Sequence, residues 1–89
     1  MICKRIVYSG HVQGVGFRYT THGLAEHYAV SGYVRNLRGG DVELVVQGEP
    51  EEIDRFLTAL ESRMTGHIAG KEAHEQACAD FKGFTIRMM

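Results

Sequence analysis

Apolar residues follow two periods along the chain, and the changes between them predict strands and helices. Residues 2–8 are rich in Ile, Val and Tyr, which predicts a strand, and the glycines at positions 10, 14 and 16 predict an irregular loop after it. A helix is predicted to follow this loop directly, because apolar or small residues then recur at helical spacing. These residues are Phe17, Thr21, Leu24, Ala25 and Tyr28.

The middle of the chain predicts a hairpin and then a second helix. Segments 30–36 and 42–47 are rich in β-forming residues, and the five residues between them include Gly39 and Gly40. Pro50 suits a first helical position, with acidic residues in the turn that follows. An apolar stripe continues this second helix through Ile53, Phe56, Leu57, Leu60 and Met64.

The last quarter of the chain is less regular. Residues 67–77 have weak periodicity and predict a poorly marked strand, whereas Phe84, Ile86 and Met88 alternate and predict a clear one. The order of elements predicts an α+β fold, a ferredoxin-like βαββαβ sandwich. We expect an antiparallel or mixed sheet of four to five strands, with both helices on one face. Residues 1–89 show no break in composition, so we expect a single domain.

Charge and composition exclude several classes of function. Ten Lys and Arg residues against 11 Asp and Glu give a net charge of -1, with no overall field to attract nucleic acid or an anionic membrane. RNA binding through the sheet is a natural alternative for this topology, but residues 42–46 contain no aromatic residue for stacking on bases. We therefore expect no nucleic-acid partner and no membrane association.

Cysteines and histidines do not predict a metal site. Cys3 and Cys78 lack metal-type spacing, so reduced thiols are expected, and the five histidines are scattered without a ligand pattern. The chain opens on neither a basic leader nor a long apolar run, which predicts a cytoplasmic location. Neither a metal nor another cofactor is expected.

The loop from Gly10 to Arg18 is the strongest candidate for chemistry. Its three glycines allow backbone amides to turn inward as an anion-binding nest, and a helix start adds unpaired N–H groups. Arg18 can present two parallel donors to phosphate oxygens. The alternative is a tight turn followed by a solvated arginine. A dinucleotide fingerprint and a P-loop are both excluded, because the third glycine and the Gly-Lys-Ser/Thr sequence are missing.

The residues Gly10-His11-Val12-Gln13-Gly14-Val15-Gly16-Phe17-Arg18 resemble the signature of the acylphosphatase family at every fixed position. A second family motif is similar to Gly32-Tyr33-Val34-Arg35-Asn36, followed by Gly40-x-Val42-Glu43. The chain departs from the family pattern in two places. Gly39 stands where the family usually has Asp, and segment 64–70 lacks the usual Gly-Pro.

This resemblance implies a monomeric enzyme that hydrolyses the carboxyl-phosphate bond of small acyl phosphates. It implies that Arg18 and Asn36 are catalytic, Arg18 by binding phosphate and Asn36 by orienting water. The residues expected to bind the substrate phosphate are Gln13, Gly14, Val15, Gly16, Phe17 and Arg18. An alternative is a non-catalytic or specialised module, as in the longer hydrogenase maturation proteins that use carbamoyl phosphate. No zinc-type cysteine pairs follow Met89, so a free-standing enzyme is the simpler expectation.

Overall fold

The computed structural model describes residues 1–88, and within them two helices pack on a sheet of five strands. In chain order the elements are β1 (Ile2–Gly10), α1 (Phe17–Ala25), β2 (Val30–Asn36), β3 (Val42–Gly48), α2 (Pro50–Arg63), β4 (Ile68–Gln76) and β5 (Phe84–Arg87). The strand order is β4-β1-β3-β2-β5. Because β5 runs parallel to β2 and the other neighbours are antiparallel, the sheet is mixed. The predicted ferredoxin-like α+β fold is confirmed.

One face of the sheet carries both helices and the core. Alternate residues of the central strands point to this face, including Ile6 and Tyr8 of β1 and Leu44 of β3, and all three are fully buried. The helices contribute Phe17, Leu24, Ala25, Ile53, Phe56, Leu57 and Leu60. Tyr8 lies inside this core and donates a hydrogen bond of 2.7 Å to Glu61. Burial raises the pKa of Tyr8, and the hydrogen bond to the Glu61 carboxylate raises it further.

The opposite face is crossed by residues 77–83, which connect the two edge strands. Gln47 anchors this segment through two hydrogen bonds, of 2.8 and 2.9 Å, to the backbone of Ala79. On the same face, Glu43 is bound by Arg5 and Arg35, each at 2.6 Å. Burial alone would raise the pKa of Glu43, but the two arginines outweigh it and lower that pKa.

The weakly patterned fourth strand is present, and its surroundings explain the weak pattern. Residues 71–76 are all exposed, because β4 is an edge strand that extends beyond the cover of the helices. Neither face of this part of β4 is buried, so its sequence shows no alternation of apolar and polar residues. The first helix ends at Ala25, short of Tyr28, which instead packs against Phe56 from the following turn. Neither described helix is long and apolar enough to cross a bilayer.

Candidate active site

Three segments meet at one end of the sheet. Val42, the first residue of β3, pairs with Tyr8 of β1 on one side and with Asn36 of β2 on the other. The loop after β1 therefore begins close to the end of β2, although the two are more than 20 residues apart in the chain. Helix α1 starts at the same end, since it follows this loop directly.

A cavity of about 220 Å³ opens between these segments. It is lined by Val12, Gly14, Gly16, Phe17, Arg18, Tyr19 and Asn36. Both residues expected to be catalytic, Arg18 and Asn36, thus face one cavity. No carboxylate is among its lining residues, so nothing of negative charge competes with an anion there.

Two glycines beside this cavity have left-handed backbone conformations, a feature of anion-binding nests. Gly14 and Gly16 have φ values of 77° and 78°, in the left-handed region that residues with a Cβ rarely adopt. Gly16 is also the N-cap of α1, whose first turn contains no acidic residue and receives no side-chain cap. The first amides of a helix have no partner within it, and they carry part of the helix dipole. They are therefore available to an anion in the cavity.

Arg18 differs from two arginines of the sheet, Arg5 and Arg35. Within residues 1–88 it forms no ion pair and no side-chain hydrogen bond, whereas Arg5 and Arg35 are both held by Glu43. An unpaired guanidinium beside free amides can make bidentate contacts with phosphate oxygens. The guanidinium of Arg18 and the free amides at the start of α1 can therefore contact the same anion.

Gln13 holds the loop in place. Its side-chain amide donates two hydrogen bonds, each of 2.8 Å, to the backbone carbonyls of Leu37 and Asp41. Leu37 follows Asn36 directly, so Gln13 joins the loop to the strand end that carries the asparagine. Val15 is half-buried against the core. Neither side chain lines the cavity, and phosphate binding by these two residues stays a prediction for their backbone amides.

Two lining residues were not singled out for this site from the sequence. Val12 is fully buried, and its fixed place in the signature was the available signal. Tyr19 is 77% exposed beside the cavity. Its position next to Arg18 was the only hint, because helical spacing does not distinguish a solvent-facing aromatic residue from a functional one. No cluster of three or more His, Cys, Asp or Glu residues in the described chain has the geometry of a metal site.

Comparison with known proteins defines first the class and then the family. The structure of an acylphosphatase from Bacillus subtilis superposes with a TM-score of 0.89 at 28% identity, covering 98% of this chain and 99% of the other. The class is therefore that of small ferredoxin-like α+β proteins of about the same length. An acylphosphatase from Methanothrix thermoacetophila is 41% identical over 86 residues, which are 96% of each chain. The acylphosphatase family model matches residues 4–86, and the chain belongs to this family.

A longer protein contains the same fold. Full-length HypF, in a phosphate- and nucleotide-bound form, matches with a TM-score of 0.84 at 29% identity. The match covers 97% of this chain but 12% of HypF. The fold therefore occurs both as a small acylphosphatase and as part of a larger protein.

Proposed function

We propose that the chain hydrolyses the carboxyl-phosphate bond of acyl phosphates, with Arg18 and the loop amides holding the phosphate and Asn36 orienting the attacking water. Membership of the acylphosphatase family supports the reaction. The observation that carries the assignment of residues is the cavity lined by Gly14, Gly16, Arg18 and Asn36 together.

The chemistry requires little from the protein beyond charge and position. An acyl phosphate is a mixed anhydride whose leaving group is a carboxylate, so it needs no strong acid to protonate it. Phosphoryl transfer places charge on the equatorial oxygens, which guanidinium and amide N–H groups stabilise. Arg18, Gly16 and the first turn of α1 supply such donors on one side of the cavity.

Asn36 supplies the group that positions the nucleophile. A neutral amide does not act as a base near neutral pH, but its oxygen and NH₂ can hold a water in line with phosphorus. The water adds to phosphorus as the bond to the carboxylate breaks, and its proton passes to a phosphate oxygen of the substrate. The products are the carboxylate and inorganic phosphate.

The test is a spectrophotometric assay of benzoyl phosphate, with and without a chelator, on the wild type, Asn36→Ala and Arg18→Ala. Asn36→Ala is expected to lower kcat by ~10²-fold with unchanged inhibition by inorganic phosphate, because positioning is lost and binding is kept. Arg18→Ala is expected to lose turnover and phosphate inhibition together. Arg38→Ala, at the exposed hairpin beside Asn36, is the control and should retain full activity. Wild-type kcat in Asn36→Ala would contradict the proposed role.

The second candidate is a phosphate-binding module without turnover, and the observation behind it is that the same fold forms a small part of HypF, whose structure is in a phosphate- and nucleotide-bound form. Inorganic phosphate would then bind to the wild type, measured by calorimetry, while no acyl phosphate is hydrolysed. The assay above separates the two, because the enzyme turns over benzoyl phosphate and the module does not.

We further propose that residues 1–89 form one domain that acts as a monomer in the cytoplasm on small molecules, without nucleic acid. Support comes from the net charge of -1 and from Cys3 and Cys78, which are both free, as is usual in a reducing compartment. Light scattering after size-exclusion chromatography should give a mass near 9.9 kDa. A dimer would contradict the proposal.

A further inference from the structure

A groove runs along the outer side of the helices and begins at the proposed phosphate site. Its volume is about 400 Å³. It is lined by Tyr19, Thr20, Gly23, Leu24, His27 and Arg63. Tyr19 also lines the cavity of Arg18 and Asn36, so the groove and the cavity share one wall.

Helix geometry explains how the groove is formed. Tyr19, Gly23 and His27 are spaced by four residues and therefore follow one row, which continues from α1 into the turn after it. The missing side chain of Gly23 leaves the middle of the row open, and a Cβ built there has no atom within 4 Å. Arg63, the last residue of α2, is at the same end of the molecule as the start of α1, because the chain from α2 leads into β4 beside Gly10.

The groove is lined by a positively charged side chain and by no negatively charged one. No carboxylate lines it, whereas Arg63 and the hydrogen-bonding side chains of Thr20 and His27 do. Among residues 1–88, Arg63 forms no ion pair, in contrast to Arg55 on the same helix, which contacts Glu52 at 3.2 Å. Tyr19 adds an exposed aromatic ring at the junction with the cavity.

We propose that this groove is the subsite for the acyl group, and that Arg63 recognises a second anionic group bound within it. The proposal rests on the proposed function, since it places the acyl group beside the phosphate held by Arg18. The favoured substrate class is then acyl phosphates whose acyl part is planar or aromatic next to the anhydride and ends in a carboxylate or another anion. Tyr19 contacts the planar part, and Arg63 pairs with the distal anion.

The test compares two substrates of one shape, 4-carboxybenzoyl phosphate and 4-carbamoylbenzoyl phosphate, which differ in the distal charge. In the wild type, kcat/KM should be about fivefold higher for the carboxylate, as expected for one solvent-exposed ion pair. Arg63→Gln should bring this ratio close to one through KM, with kcat for the carbamoyl substrate unchanged. Arg55→Gln makes the same chemical change elsewhere on α2 and should keep the wild-type ratio.

Substrates with the carboxylate at different ring positions distinguish a direct contact with Arg63 from a general electrostatic effect. If Arg63 pairs with the distal group, 3-carboxybenzoyl and 4-carboxybenzoyl phosphate should differ in their response to Arg63→Gln. Equal loss for both, or equal loss in Arg55→Gln, would show that only overall charge matters and would overturn the subsite.

Filling the groove provides a second, steric test. Gly23→Leu places a side chain in open space on a helix, so the fold should be retained. We expect KM for both benzoyl substrates to rise about tenfold while acetyl phosphate, which is too short to enter the groove, keeps its KM. Unchanged KM for the benzoyl substrates would overturn the proposal. Failure of the proposed function would be distinguishable from these outcomes, because it would appear as undiminished turnover in Asn36→Ala.

Discussion

The two helices begin in opposite ways, although neither has a side-chain cap on its first turn. Helix α2 starts with Pro50, which has no N–H to satisfy, and continues with Glu51 and Glu52, whose charges offset the helix dipole. Helix α1 starts at a left-handed glycine, Gly16, with no acidic residue in its first turn. The start of α2 is stabilised by its own residues. At the start of α1 the unpaired amides and the positive end of the helix dipole are free to interact with a ligand.

The difference shows where this small fold places binding capacity. Both helix starts obey the same physics, but the acidic residues that suit α2 would repel an anion at α1. The arginines follow the same division, since Arg35 is neutralised by Glu43 and Arg18 is not. Among the described residues, the cavity therefore keeps an unpaired guanidinium beside unpaired amides, whereas Arg35 on the sheet is paired.

The largest effect on this comparison is expected from Gly16→Ala. A left-handed backbone costs a residue with a Cβ roughly 1–2 kcal/mol, so either stability falls by about 1 kcal/mol or the loop changes shape. In both cases we expect kcat/KM for acetyl phosphate to fall by ~10²-fold, as when aligned donors are lost from an anion site. Thermal unfolding and steady-state kinetics measure the two effects.

Gly23→Ala is the matched control for that change. Gly23 lies inside the same helix with open space around a Cβ, so alanine should raise stability by about 0.5–1 kcal/mol. Its kcat/KM for acetyl phosphate should stay within about twofold of wild type, because this substrate does not reach the groove. If both glycine variants had equal activity, the special role of the α1 start would be refuted.

Much of this fold was predictable because its elements have strong local signals. The helix at Pro50 has a start signal and an apolar stripe, and the hairpin around Gly39 and Gly40 joins two β-rich segments. Strand β4 was weakly signalled because solvent meets both of its faces. The role of Asn36 came from family resemblance, since its nearness to Arg18 depends on β3 lying between β1 and β2. The groove from Tyr19 to Arg63 depends on packing of distant segments, which periodicity does not reveal.

A smaller effect is expected from Gln13→Ala, which separates the loop from the hairpin. The variant loses two hydrogen bonds, so stability should fall by about 2 kcal/mol at ~1 kcal/mol each. Because these bonds join the loop of Arg18 to the strand end of Asn36, kcat should fall by ~10-fold through lost alignment. Denaturant unfolding and benzoyl phosphate kinetics give the two numbers.

Gln47→Ala controls for stability alone. It also removes two side-chain bonds to the backbone, but on the opposite sheet face, where they hold Ala79. A similar loss of stability with unchanged kcat is expected. If Gln47→Ala lowered kcat as much as Gln13→Ala, the effect would follow from general destabilisation, and alignment by Gln13 would be disproved.

The smallest effect is expected when an acidic residue, of the kind found in the first turn of α2, is placed in the first turn of α1. Tyr19→Glu and Tyr19→Gln both remove the exposed ring from the first turn, and they differ only in charge. The glutamate should stabilise the helix by about 0.5 kcal/mol relative to glutamine, as acidic residues do at a helix start. The same charge should weaken inhibition by inorganic phosphate about threefold, because it occupies the field that the anion uses. In ~1 M salt, where the Debye length is about 3 Å, both differences should shrink together. A glutamate that stabilised α1 without weakening phosphate inhibition would show that the helix start and the phosphate site are independent.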